Sequence, residues 1–415
     1  MTNIILLLIL YAGFAAEYAV NRFLARHLDL DGLGDFNVAV SLATICSMLF
    51  VSGGDAASNR FIPRYLEQKE WGKIKGYIVH YLKLSLLISV CASICSLAVD
   101  YGLRYYRLDK LLHESYFAMI LAPVLSVFTF LGGLLLAMHR EYASSLTTEL
   151  LKSLLFLAGI SAWMLFASSI NEYEAIGLLL LSLSLSVAVQ SWAAMKSIPF
   201  DFYRQKQTLC IPEWRAVGKP MLIIGLANNF ISVVELWCLE VFYNGEETVG
   251  AFSLLVFISS IIWINYTAFY YFLSSRIAVM EHDSSTMRKS YLGAVLWLAV
   301  INVITVSLLA YYAELILGWF HQDMVVYTPW LWFILIGTAI NSVLQLASPF
   351  LRFGGYEKED SAISSRILLL SLFSSPLLIC FFGVEGAIVS SVLLLLIRGL
   401  WYSFRLRRLH GISLV

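Results

Sequence analysis

Two glutamates lie inside long apolar segments of the sequence, where a charge must be paired or neutralised. Glu17 lies in the first apolar segment, and Glu235 lies in the stretch "VELWCLE" of a later one. An unpaired charge at the middle of a bilayer costs on the order of 3 kcal/mol or more, so each carboxyl group is expected to face protein or water. Because such a group can exchange a proton or bind Na+, we predict ion coupling at Glu17 and Glu235, and also at Asp55, which lies near the end of the second apolar segment.

Polar side chains form stripes on three of the predicted helices. Positions i, i+4 and i+7 share one helix face, and this spacing is typical of helices that line a hydrated interior. The stripes are Asn228, Ser232 and Glu235; Asn37, Ser41 and Thr44; and Asn341, Gln345 and Ser348. Hydrogen bonding between helices is the alternative, and it is favoured for Ser and Thr. We predict that Asn228 and Asn229 bind substrate through hydrogen bonds.

Cationic side chains are predicted towards the cytoplasmic ends of the apolar segments. Lys83 and Arg398 lie inside such segments, and Arg60 and Arg276 follow them. This set would attract an anionic headgroup that is loaded from the cytoplasm, and we add Arg22 to it as a substrate-binding residue. Other interpretations stay open: Lys83 and Arg398 can reach the interface with their long side chains, and Arg60 and Arg276 fit the general excess of positive charge on the cytoplasmic side.

The composition places these residues in an all-α, multi-pass membrane protein. Of the 415 residues, 60% are hydrophobic and 13% are charged, and the mean hydropathy is +0.78. Lys plus Arg and Asp plus Glu both number 28, so the net charge indicates no nucleic-acid partner. Twelve spans are predicted from the apolar runs, at residues 4–24, 36–57, 77–99, 115–138, 150–169, 174–194, 218–241, 248–273, 291–313, 328–350, 363–382 and 384–403.

The distribution of Lys and Arg orients these spans, because cytoplasmic loops collect basic residues. The loops after even-numbered spans, together with the first few residues of the spans that follow them, and the C-terminal tail contain 21 of the 28 basic residues, and the remaining loops contain four. Both termini are therefore predicted to be cytoplasmic. With this orientation Glu17 and Glu235 lie in the outer half of the membrane.

The chain is predicted to consist of two similar halves. A shift of 216 residues superposes "DGLGDFNVAV" on "ETVGAFSLLV" and maps the end of the first span onto the end of the seventh. Parallel repeats of this kind are common in transporters. A polar connection with prolines is predicted to be a cytoplasmic linker at 196–219, between six-helix lobes at 1–195 and 220–415.

Signatures of soluble catalytic sites are missing from the sequence. It contains no H-E-x-x-H motif, no P-loop and no G-x-S-x-G motif. The six cysteines are scattered, which predicts neither a disulfide framework nor a metal site. We therefore predict a transporter that needs no cofactor. A membrane-bound glycan polymerase or ligase stays open, although such enzymes usually have a sizeable external loop, and the cationic one here, residues 101–114, is short.

A family resemblance is carried by four stretches, which follow one another along the whole chain. The first begins at "LARHLDLDGLGDFNVAV", and the others are "NGEETVGAFSLLVFISSIIWINYTAFYYFLSSRIAVM", "LRFGGYEKE" and "FFGVEGAIVSSVLLLLIRGLWYSFRLRR". Together they resemble the polysaccharide flippases of the MOP superfamily, the O-antigen and oligosaccharide-lipid exporters. The matching positions of the first stretch and its continuation are Ala25, Arg26, Leu28, Gly34, Phe36, Gly54 and Arg60. Asp29 stands where that family has a glycine.

The resemblance implies a fold, a substrate and a location. The fold would have twelve helices in two lobes around a V-shaped cleft. The substrate would be an undecaprenyl-pyrophosphate-linked oligosaccharide for O-antigen, lipopolysaccharide or another surface polysaccharide, flipped from the cytoplasmic to the periplasmic leaflet of the bacterial inner membrane. Alternating access without ATP hydrolysis, coupled to H+ or Na+, is implied as the mechanism, and membrane lipids, glycan polymerase and chain-length proteins are implied as partners.

Two further transport functions remain as alternatives. A drug or cation antiporter of the related MATE branch would use Glu17, Asp55 and Glu235 to bind organic cations, but the predicted cationic inner mouth argues against it. Export of peptidoglycan precursors is less favoured, because the arginines that lipid II flippases carry in the first two spans have no clear equivalents apart from the nearby Arg22.

Overall fold

The computed structural model describes residues 2–106, 114–167, 169–198, 201–242, 246–280, 284–353 and 356–410, and helices form most of this part of the chain. Two compact units are present, Met1–Leu226 and Ala227–Val415. The first unit contains α1 (Thr2–His27), α2 (Asp29–Val51), α3 (Gly54–Glu67), α4 (Trp71–Tyr105), α5 (Glu114–Ala118), α6 (Ala122–Ala137), α7 (Glu141–Ser145), α8 (Lys152–Trp163), α9 (Glu172–Ser197), α10 (Asp201–Arg204) and the start of α11 (Ile211–Phe242). The second unit contains the rest of α11, α12 (Glu246–Ser259), α13 (Ile261–Met280), α14 (Ser284–Tyr311), α15 (Ala313–Phe320), α16 (Thr328–Gln345), α17 (Ala347–Phe353) and α18 (Glu357–His410).

The first unit has an aromatic core next to the break between α2 and α3. The chain turns there at Gly53, whose φ of 74° is readily available to glycine. The hydroxyl of Tyr77 donates a hydrogen bond to the carbonyl oxygen of Gly54 at 2.6 Å. The indole of Trp214, which is fully buried, donates to the hydroxyl of Tyr65 at 3.1 Å. These contacts attach the start of α11 to the first unit.

In the second unit, α18 is a helical hairpin that turns at Gly383. Three side-chain contacts connect its two arms: Ser375 with Ser390 at 2.8 Å, Ser364 with Tyr402 at 3.1 Å, and Glu359 with Arg405 at 2.9 Å. The two members of each pair lie at similar distances along the chain from Gly383, which is the pattern of antiparallel arms. The predicted spans 363–382 and 384–403 are therefore the two arms of this hairpin.

The surface of the long helices is suited to a bilayer. The apolar side chains Leu87, Ile94 and Val303 on α4 and α14 are exposed, which hydrocarbon tolerates and water does not. Among the described residues, nine helices are long and apolar enough to cross a membrane, or ten if the bent pair in α11 counts as one span. The prediction of an all-helical, multi-pass membrane protein is confirmed.

The predicted number of twelve spans differs from the count of nine for three reasons. The seventh predicted span, 218–241, lies in the bent helix α11, which is not among the nine. The hairpin α18 counts once among the nine, although each arm holds one predicted span. The first predicted span, 4–24, lies within α1, which is not among the nine.

The predicted linker, 196–219, overlaps α10 and the first nine residues of α11. The assignment of 1–195 and 220–415 to two lobes stays a prediction.

Replacing Gly383 with alanine is expected to destabilise the second unit. Gly383 has φ of 58° and ψ of −133°, a conformation that costs a residue with a side chain about 1–3 kcal/mol. The melting temperature of the purified protein should fall. Gly293→Ala in α14 is the matched control, because a Cβ there meets no atom within 4 Å and alanine is favoured in helices. Equal melting temperatures for the two variants would contradict the expectation.

Candidate functional site

The second unit contains a cavity of about 580 Å³ with a mixed polar and aromatic lining, which we call the polar cavity. Its lining includes Asn228, Ser259, Ser260, Trp263, Tyr266, Thr267, Tyr270, Thr338, Gln345, Ser348 and Arg398. These residues come from α11, α12, α13, α16 and the second arm of α18, together with Ser260 between α12 and α13 and Ser348 at the start of α17. A cavity of this volume is within the range that holds a small-molecule-sized group.

Three aromatic rings on α13 form one wall of the polar cavity. The ring centroids of Trp263 and Tyr266 are 5.4 Å apart, and those of Tyr266 and Tyr270 are 6.1 Å apart. Their spacing of three and four residues places them on one face of the helix. Tyr and Trp combine an apolar ring with a polar group, so such a wall can contact the apolar face of a sugar and also hydrogen-bond to it.

Arg398 supplies a buried positive charge to this cavity. Its side chain is 6% exposed, and one Nη2 hydrogen bond is donated to the Oδ1 of Asn228. The guanidinium also lies 5.7 Å from the ring centroid of Tyr402. The Nε of Arg398 has no hydrogen-bond partner among the described residues. A guanidinium held in this way can bind a phosphate through several donors at once.

Tyr402 is itself fixed by the first arm of α18. Its hydroxyl donates to the Oδ1 of Asp360 at 2.7 Å and lies 3.1 Å from the hydroxyl of Ser364. Asp360 and Tyr402 are both buried. The hairpin therefore holds the ring against which Arg398 packs, and the position of the guanidinium depends on both arms.

Glu235 lies in a buried cluster of oxygen atoms outside the residues that line the polar cavity. It is 1% exposed, and its Oε1 accepts a hydrogen bond from Ser375 at 3.0 Å. Ser390 lies 3.4 Å from the same atom, and the two hydroxyls are 2.8 Å apart. One carboxyl group from α11 and one hydroxyl from each arm of α18 thus meet at one point. We call this arrangement the Glu235 cluster.

Glu17 and Asp55 belong to the first unit and lie in different surroundings. The Oε1 of Glu17 is 3.8 Å from the Nζ of Lys152, so an ion pair forms between α1 and α8. Asp55 is half-buried in the first turn of α3, where its backbone oxygen accepts from Ser58 at 2.5 Å. Arg22 is half-buried on α1. The ion-coupling role of the two carboxylates stays a prediction.

The other predicted cations are spread over different surfaces. Lys83 is exposed on α4, and Arg60 is exposed on α3, where it lines a small cavity with Arg64 and Glu213. The side chain of Arg276 lies outside the described residues. Of the predicted substrate-binding set, the structure therefore brings Asn228 and Arg398 together. Asn229, the neighbour of Asn228, is exposed.

The polar stripes have different environments. Ser41 and Thr44 donate to carbonyl oxygens of their own helix, at 2.8 Å each, so both hydroxyls form hydrogen bonds within that helix. In the third stripe the amide of Asn341 donates to the Oε1 of Gln345 at 3.2 Å, and Gln345 and Ser348 both line the polar cavity. The first stripe contributes Asn228 to the cavity and Glu235 to its own cluster, while the side chain of Ser232 lies outside the described residues.

The fold is similar to that of solved MATE-type transporters. An inward-facing multidrug resistance MATE family transporter of the MOP superfamily superposes with a TM-score of 0.73 and 16% identity over 95% of this chain and 96% of that one. A MOP superfamily transporter from Pyrococcus furiosus has a TM-score of 0.65 and 14% identity over 97% and 95%. A Vibrio cholerae MATE transporter has a TM-score of 0.59 and 17% identity over 97% and 96%. The protein has the fold of a multi-pass membrane transporter.

The sequence assigns the chain to a family within this fold. The model of the polysaccharide biosynthesis protein family matches residues 2–271, and the chain belongs to that family. No curated protein is significantly similar to it in sequence. The resemblance to the polysaccharide transporters of the MOP superfamily is confirmed.

Proposed function

We propose that this transporter flips an undecaprenyl-pyrophosphate-linked oligosaccharide from the cytoplasmic to the periplasmic leaflet of a bacterial inner membrane, for O-antigen or another surface polysaccharide. The observation that carries the proposal is the buried guanidinium of Arg398 in a cavity walled by Trp263, Tyr266 and Tyr270. A pyrophosphate and a sugar are the two chemical groups that this lining is suited to bind. Membership of the polysaccharide biosynthesis family supports the same substrate class.

Hydrogen-bonding side chains in the polar cavity fit the sugar part of such a substrate. Asn228, Gln345 and Ser348 present amide and hydroxyl groups beside the aromatic wall. Sugars carry many hydroxyls, each of which donates and accepts, so amides and hydroxyls are matching partners. In this proposal Arg22, Lys83, Arg60, Arg276 and Asn229 contact the headgroup at other stages of transport.

Ion coupling is proposed at the Glu235 cluster. A bare carboxylate inside the membrane costs on the order of 3 kcal/mol or more, and two serine hydroxyls compensate part of this cost. A proton or Na+ bound at the cluster would remove the net charge. Because the cluster joins α11 to both arms of α18, uptake and release of the ion would change the packing of the same hairpin that holds Arg398. Glu17 and Asp55 are proposed as further sites of ion exchange.

A drug or cation antiporter is the second transport function that this fold can perform. Among the described residues that line the polar cavity, Arg398 is the one with a full charge, and it is positive. A cationic drug would be repelled by it, whereas a pyrophosphate would be attracted. The lining therefore favours the anionic substrate.

The test is made in a strain that lacks this gene and makes radiolabelled lipid-linked oligosaccharide. We expect the labelled lipid to accumulate on the cytoplasmic leaflet, and the intact gene to restore its appearance on the periplasmic leaflet. Normal delivery of the unpolymerised lipid without the gene would exclude flipping. Increased sensitivity to cationic drugs in the same strain, with normal glycan delivery, would favour the antiporter instead, and normal delivery with a defect in chain growth or attachment would favour a polymerase or ligase.

A further inference from the structure

A second cavity in the second unit has a mostly apolar lining and lies between α14 and α16. Its volume is about 410 Å³, and its walls include Val303 and Val306 of α14 and Ile336 and Ile340 of α16. We call it the α14–α16 groove. Val303, Ile336 and Ile340 are half or more exposed, so the groove opens on the surface of the helices that faces lipid.

Two polar residues line the groove: Ser307, which is exposed, and Asn302, whose side-chain polar atoms are already paired. Asn302, which is 2% exposed, accepts from the amide of Asn265 at 3.2 Å through its Oδ1. It donates through its Nδ2 to the hydroxyl of Ser342 at 2.7 Å. The asparagine side chain therefore stabilises the packing of α13, α14 and α16 and leaves the groove itself suited to an apolar ligand.

Helix α16 separates the groove from the polar cavity. Ile334, Thr338 and Gln345 line the polar cavity, and their spacing of four and seven residues places them on one face. Ile336 and Ile340 line the groove from the opposite side of the helix, about 200° away at 3.6 residues per turn. The two cavities are thus on two sides of a single helix.

Neighbouring residues of α16 line the two cavities at two places, at Thr338 and Ala339 in the middle of the helix and at its C-terminal end. Leu344 lines the groove, and the next residue, Gln345, lines the polar cavity and ends the helix. With the predicted topology this is the cytoplasmic end, where a lipid substrate of the inner leaflet would enter.

We propose that the α14–α16 groove binds the isoprenoid chain of the lipid whose headgroup occupies the polar cavity. The inference rests on the proposed function, because it assigns the tail of that same substrate. The buried cation Arg398 on one side of α16 and the apolar groove on the other fit a molecule with one anionic head and one long apolar tail. A phospholipid acyl chain is the competing occupant.

Photo-crosslinking identifies the occupant directly. The photoreactive residue p-benzoylphenylalanine is placed at Val303 in the full-length protein, in nanodiscs of phosphatidylethanolamine with a minor fraction of radiolabelled undecaprenyl phosphate. The matched control position is Leu296, which is 65% exposed on the same helix, against 66% for Val303, but does not line the groove. We expect labelling by the isoprenoid to be about tenfold stronger at Val303 than at Leu296, and to fall when Ile340→Trp fills the groove.

Two outcomes would overturn the inference. One is equal isoprenoid labelling at the two positions, and the other is labelling at Val303 by phosphatidylethanolamine in proportion to its share of the bilayer. Ile340 is 50% exposed, so the tryptophan should not prevent folding, and the melting temperature of that variant checks this. The assay measures occupancy without transport. Selective labelling together with normal glycan delivery in the deletion strain would therefore refute flipping and leave the groove assignment intact.

Discussion

Glycan export is expected to fall at least about tenfold when Glu235 is replaced by glutamine, the effect of losing about 1.4 kcal/mol of favourable interaction in transport. Glutamine keeps the size of the side chain and can still accept a hydrogen bond from Ser375. It cannot take up a proton in place of the carboxylate or neutralise Na+. The export that remains should no longer respond to an imposed H+ or Na+ gradient.

The measurement is the rate of delivery of labelled lipid-linked oligosaccharide to the outer leaflet, with each gradient imposed in turn. Glu240→Gln is the matched control, because Glu240 lies five residues further along α11 and is only half-buried. Its export and its response to gradients should stay near those of the unchanged protein. If Glu235→Gln also exports normally with a normal gradient response, the Glu235 cluster has no coupling role.

The helices and most of the spans could be predicted from the sequence because their signal is local. Apolar runs of about twenty residues mark the hydrocarbon thickness, and each run is complete within its own segment. The turn at Gly383 was also visible, since the predicted spans end and begin on either side of it. The sequence therefore predicts the two arms of α18 as two separate spans. This is the reason why the prediction of twelve spans and the structural count differ at α18.

The candidate site was only partly predictable, because its members are distant in sequence. Glu235 stood out as a carboxylate in an apolar segment, but its partners Ser375 and Ser390 are 140 and 155 residues away. Serines occur throughout the spans, so nothing in their own segments distinguishes these two. Their similar distance from Gly383 was the available signal. It becomes informative only when the arms are known to be antiparallel.

The ion-pair partner of a charged residue also could not be identified from the sequence when it is distant in the chain. Lys152 forms an ion pair with Glu17, and the two residues are far apart in the chain.

The aromatic wall of Trp263, Tyr266 and Tyr270 was not predicted, because aromatic residues at helical spacing are usual in packed helices. A cavity beside these residues gives them a candidate role, and a cavity is a property of several helices together.

Replacing Arg398 with glutamine is expected to lower export by about tenfold or more, since a charge-assisted contact to phosphate contributes roughly 1.5–3 kcal/mol. The variant keeps a donor towards Asn228 but loses the positive charge that would bind the pyrophosphate. Arg398→Lys should retain part of the activity, because an ammonium keeps the charge without the planar group that packs against Tyr402. The loss should appear as weaker binding of undecaprenyl pyrophosphate to the purified protein.

Arg405→Gln is the control for this effect, because Arg405 is on the same arm of α18 and is paired with Glu359 on the other arm. Its loss removes a positive charge from the hairpin but none from the lining of the polar cavity, so binding should change by less than about twofold. Equal losses in the Gln variants of Arg398 and Arg405 would show that the hairpin's overall charge matters rather than the cavity. A loss confined to Arg398, partly restored by lysine, requires a cation at this one position and agrees with an anionic headgroup in the polar cavity.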